Sequence, residues 1–317
     1  MIRGRRLPAA VLLATVVLPG TASAHELAER FTAPLPLELL FAGAAVTVGV
    51  TAVLLAVAAP EAPASTSGRR LGTIPSSVAT SVRGAGRALF LVAFVLTVVL
   101  GLLGDQAPAE NFATVFLWPV WLKGLALVAA LLGSPWSALS PWKALYDGLA
   151  RLEGEPIAVV GAYPSRLGVW PALAGFLVWI GLVENLTAVP RSPRLTALLL
   201  TGYTLAMLVG GLAFGPRWFR RADALAVLYR LFERVAPLRF EPTGSGGYRA
   251  EVRWPWVGCL RPVDGVGTAA FVVATVYTVS FDGFTGTPEY QALLFGVRDA
   301  LGAAWGVSAA LYLLGFA

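Results

Sequence analysis

The stretch RALFLVAFVLTVVLGLLG, residues 87–104, carries one charge in eighteen residues, at its first position. A helix needs roughly 20 mostly apolar residues to cross the hydrocarbon core of a bilayer. This run has that length and is too apolar for an ordinary core helix. The whole chain agrees with it: 57% of the 317 residues are hydrophobic and 13% are charged, with a mean hydropathy of +0.72. A soluble domain carries about 25% charged residues. The class is therefore a polytopic, all-α integral membrane protein.

Similar runs recur along the chain. The spans expected are about 36–58, 87–104, 112–133, 167–186, 195–215, 264–281 and 300–317, seven in all. Residues 1–24 read as a signal peptide: Arg3, Arg5 and Arg6 precede an apolar stretch, and Ala22-Ser23-Ala24 offers small residues at −3 and −1. Residues 25–317 form one membrane domain. Cleavage after Ala24 would make His25, the only histidine, the first residue of the mature chain.

Export of that end fixes a topology that the charges support. The segments 59–86, 134–166 and 216–263, with Arg87 and Asp264 at span edges, then face the cytosol and carry sixteen bases against nine acids, a net of +7. The exported side has nine acids against four bases, a net of −5. Such asymmetry is the positive-inside pattern, and it places the protein in the plasma membrane rather than on nucleic acid. An exported surface of that sign concentrates cations.

Two inside segments read as amphipathic helices lying in the membrane interface. In PRWFRRADALAVLYRLFERVAPL, residues 216–238, the stripe is Trp218, Ala222, Leu225, Tyr229, Phe232 and Ala236. In SPWKALYDGLARLEG, residues 140–154, it is Trp142, Leu145, Leu149 and Leu152, with Ser140 as N-cap and Pro141 at the first helical position. Residues 237–262 are too polar to span and read as a flexible loop. The Gly244–Gly247 stretch lacks the Lys-Ser/Thr of a phosphate loop.

Candidate site residues are few. Lys123 lies inside the third span, where a lysine is costly. Either it meets a buried acid, Glu184 or Asp105, or Trp118 and Trp121 mark an outer aromatic belt and Lys123 snorkels past it. Asp282 reads as part of a tight exported turn closing the sixth span. Glu38 and Glu184 are acids inside or at the edge of spans, and both are functional candidates for that reason. At the new N-terminus, His25 with Glu26 and Glu29 could hold a divalent metal weakly, the histidine offering its amine and imidazole. Copper and zinc normally demand further nitrogen or sulfur ligands, and the chain has no second histidine. Catalytic triad spacing is absent, and the single cysteine, Cys259, forms no intramolecular disulfide.

Four stretches resemble a family of polytopic membrane proteins from actinobacteria and haloarchaea, some of whose members are named fenitrothion hydrolase. They are AHELAERFTAPLPLELLFAGAAV from Ala24, SPWKALYDGLARLEG from Ser140, YPSRLGVWPALAGFLVW from Tyr163, and TVSFDGFTGTP from Thr278. The resemblance implies a helical membrane fold and the hydrolysis of an organophosphate triester. It points to His25 and Asp282 as a shared site. Two functions follow as expectations: binding or moving a small cation or solute through the acidic exported face, or phosphotriester hydrolysis.

Overall fold

The computed structural model describes residues 68–302 and 306–317, with isolated positions between 42 and 53. The chain is mostly helical, 72%. Strand β1 (Arg69–Ile74) leads into α1 (Ser76–Leu103). Then come α2 (Phe112–Leu132), α3 (Pro141–Glu153) and α4 (Ser165–Glu184). Helix α5 (Pro193–Phe214) is followed by the short α6 (Arg217–Arg221) and by α7 (Ala224–Phe232). Strands β2 (Leu238–Pro242) and β3 (Tyr248–Val252) precede α8 (Gly265–Thr285), α9 (Pro288–Leu301) and α10 (Val307–Phe316).

Among the described residues, α1, α2, α4, α5 and α8 are long and apolar enough to cross a membrane. They coincide with five of the expected spans. The expected signal peptide and first span lie, apart from those isolated positions, outside the described residues. The last expected span divides. Helix α9 ends at Gly302 and α10 starts after Gly306, both glycines with positive φ. At ten residues, α10 is about 15 Å long, half a bilayer.

Small residues bring the spans together. A Cβ on Gly101 of α1 would lie 2.7 Å from Ala197 Cβ in α5, 2.8 Å from the Pro193 carbonyl and 3.0 Å from Ala113 Cβ in α2. Lipid supplies no hydrophobic drive between helices, so close backbone approach of this kind is what gains packing energy. Asn111 joins the α1 end to the α2 start. Its amide donates to the Leu100 carbonyl at 2.8 Å, and its oxygen accepts from Ala113 N–H at 2.8 Å.

The two ends of the bundle are distinct. At one end β1 pairs antiparallel with β3, which pairs with β2, so segment 69–74 lies beside segment 238–252. Arg87 there reaches Asp147 of α3 at 2.6 Å. At the other end the Arg194 N–H donates to Gln106 at 3.2 Å. Segments expected on one side of the membrane thus meet each other.

The polar segment 237–262, expected as a flexible loop, instead forms the β2–β3 hairpin and a short 3₁₀ turn, Pro255–Gly258. Its alternating residues find a ladder because β1 supplies a third strand from a distant part of the chain. Segment 216–238 also differs from a single surface helix. It breaks at Ala222–Asp223, and Leu225, Val227, Leu228 and Tyr229 are buried against α2 and α4. The stripe was legible, but its partner is the bundle. In α3, by contrast, Trp142 is buried while Leu145, Leu149 and Leu152 stay exposed. The expected Ser140 cap and Pro141 start are present.

Candidate membrane-embedded polar site

Two of the spans leave the α-helical ladder. Residues Phe116–Gly124 of α2 and Leu177–Glu184 of α4 are π-helical. In α2 the cause is local: Pro119 has no N–H to donate, so the ladder must re-register around it. Such π segments are frequent at functional sites. Tyr229 of α7 donates into this one, where the Trp121 carbonyl also accepts the Leu125 N–H. Its hydroxyl lies 3.2 Å from the Trp121 carbonyl and 3.3 Å from that of Leu122.

The π segments carry the charged pair. Lys123 Nζ is 3.4 Å from Glu184 Oε1, longer than the roughly 2.7–2.9 Å of a tight charge-assisted hydrogen bond. The Glu184 side chain is 15% exposed and that of Lys123 71%. Burial therefore falls on the carboxylate, while the ammonium stands at the surface of the bundle. Asp282 of α8 lies within Coulombic reach of Glu184.

The sequence offered Glu184 as one of two partners for Lys123, in one of two readings, and the structure pairs them. Three expectations are corrected. Trp118 and Trp121 form no outer belt: they are 6% and 0% exposed, Trp118 donating to Thr196 at 3.1 Å and Trp121 packed in the aromatic core. Asp105 does not meet Lys123; its carboxylate caps the Ala107 N–H at 2.7 Å. Asp282 is not in a turn, because α8 continues to Thr285. Its helical backbone needs no turn-forming side chain. His25, Glu26, Glu29 and Glu38 lie outside the described residues. Among the described residues, no group of three His, Cys, Asp or Glu side chains could hold a metal ion.

A second polar centre was missed. Asp223 is fully buried and accepts from Trp136 Nε1 and Trp142 Nε1, both at 2.8 Å to one oxygen. The Tyr203 hydroxyl and the Leu225 N–H, both at 3.0 Å, donate to the other. It is thereby the N-cap of α7. Burial pushes its carboxyl above the usual range, against the pull of these four donors. With every lone-pair direction aimed at a donor, the centre is a structural clamp for α7 and so for Tyr229. Its signal was present in the sequence as two Ser-Pro-Trp tripeptides, at 134–136 and 140–142. The arginines around Asp223 masked the carboxylate as one more charge on a surface helix.

Each π segment also holds a buried tryptophan, Trp121 or Trp179, whose indole N–H has no acceptor among the described residues. Buried donors are rarely left so. No protein-family model, curated protein or solved structure matches the chain. His25, one of the two residues expected to form a shared site, is outside the described residues.

Proposed function

We propose that the protein is a multi-pass plasma-membrane protein that binds a small cation at the Glu184–Lys123–Asp282 group, entering from the exported face. In this reading the mature N-terminus is outside. The sheet and the arginine-rich segments are cytosolic, and the exposed leucines of α3 rest in the inner interface.

The observation that carries the reading is the loose ion pair. A buried carboxylate must be neutralised, and Lys123 does so at 3.4 Å from a surface-exposed position. An incoming cation can take over that task as the flexible ammonium swings away. A second acid, Asp282, acts electrostatically on the same carboxyl. Intramembrane acids are functional candidates for this reason. The π segments of α2 and α4 support it by bringing Lys123 and Glu184 to one level, and the −5 exported surface would raise the local cation concentration.

Ligand binding to the folded state raises stability, by about 2.7 kcal/mol at a hundredfold excess over Kd. The purified protein in detergent should therefore melt higher in sodium or potassium chloride than in choline chloride of equal ionic strength. Glu184→Gln should remove the difference. An equal melting temperature in all three salts would overturn the proposal.

A further inference from the structure

Beyond the polar site, the segment between β3 and α8 presents an apolar surface that the bundle does not cover. Trp254 and Trp256 are 67% and 59% exposed, yet their rings stack on each other with centroids 4.9 Å apart and planes 8° from parallel. Leu260 and Val263, also exposed, continue the patch towards the start of α8.

The patch is held from behind. The Arg253 guanidinium donates to the carbonyls of Ala236, Glu233 and Arg234 at 3.0–3.2 Å. That of Arg234 donates to the carbonyls of Arg261 and Pro262 at 2.9 and 3.0 Å. Gly258 lies so close to the Arg234 carbonyl that any Cβ would collide with it. Two arginines spent on carbonyls, and a glycine that allows the close approach, make a rigid platform. Rigid display of two tryptophans to solvent has no folding rationale, because their apolar area stays wet.

Position identifies the occupant. Gly265, where α8 begins, is five positions on from Leu260, so the patch lies at most about 18 Å from the mouth of a spanning helix. The apolar outward face of α8 (Val266, Val273, Val276 and Val279, all exposed) continues from it. Beside it, between the starts of α4 and α8, a hollow of about 290 Å³ is lined by Arg166, Arg221, Trp170 and Asp264. Tryptophan settles at the headgroup layer, and guanidinium groups pair with lipid phosphate.

We infer that residues 254–263 are a membrane-docking platform, inserting Trp254, Trp256 and Leu260 into the headgroup layer of the bilayer that α8 enters. It pins the three-stranded sheet against the cytosolic face of the membrane.

Cys259, the sole cysteine, is exposed within the platform and provides the probe. The full chain, labelled there with a nitrobenzoxadiazole fluorophore, is placed in nanodiscs of phosphatidylcholine and phosphatidylglycerol. A nitroxide on a shallow acyl carbon of the lipid should quench the label, and aqueous iodide should reach it poorly. The Trp254→Ser/Trp256→Ser variant, whose changes touch only exposed side chains, should lose the lipid quenching and become open to iodide. Its elution and circular dichroism should match the wild type. Free iodide quenching of the wild-type label, with none from the lipid nitroxide, would overturn the inference.

Discussion

Asp223 shows how much one buried carboxylate can organise. Replacing it by alanine leaves two indoles, a phenol and a backbone N–H without an acceptor, each stranded donor costing about 1–3 kcal/mol. Asp223→Ala should therefore lose several kcal/mol, read as a lower melting temperature or failure to fold. Tyr203→Phe, which removes one donor to Asp223 and the acceptor of the Ala224 N–H, should cost less, about 1–3 kcal/mol. Glu184 answers differently, because its partner can leave: Glu184→Gln should cost little stability while abolishing cation response. At this scale the sequence was legible where a residue was out of place, as Lys123 was in an apolar run. It was illegible where a residue looked at home. Trp121 in an apparent belt, and Asp223 among arginines, needed the fold to show what surrounds them.

At the level of elements, the spans were the most legible feature, since a bilayer imposes both length and composition. Their departures from regularity were not: the π segment of α2 surrounds Pro119, but the Tyr229 hydroxyl that bonds to it arrives from a helix a hundred residues away. The sheet was missed for a similar reason, as β3 becomes central only when β1 joins it. Helix contacts carry their own test. Gly101→Ala places a methyl 2.7 Å from Ala197 Cβ and should cost about 1–3 kcal/mol by overpacking α1, α2 and α5. The junction of α1 with α3 gives a pH signature. Burial acts to raise the Asp147 carboxyl, but Lys143 at 2.7 Å and Arg87 at 2.6 Å outweigh it and hold the group below its ordinary value of 3.8. A lowered folded-state value favours folding above the unfolded one. Wild type should thus exceed Asp147→Asn in stability at neutral pH, by about 1–2 kcal/mol. The advantage should be full above 3.8 and vanish as pH falls through the lowered value. Urea melts of both proteins across that range check the sign.

For the whole molecule, the account joins two polarities. Arginines gather at the end that holds the sheet and α3, and Glu184 and Asp282 sit near the C-terminal ends of α4 and α8. Charge counting expects segments 69–74 and 238–252 on one side, and their pairing at one end is consistent with that. Counting could not anticipate that the same end carries an aromatic platform or that α7 turns into the bundle, because both depend on contacts between remote segments. The central claim is that Glu184 and Asp282 together hold a cation. Equilibrium binding of radioactive sodium and rubidium to the purified protein tests it most directly. The account predicts saturable uptake of one of the two ions at about one per chain, lost in Glu184→Gln and weakened in Asp282→Asn. Saturable binding that persists undiminished in Glu184→Gln, or none in the wild type, would contradict it.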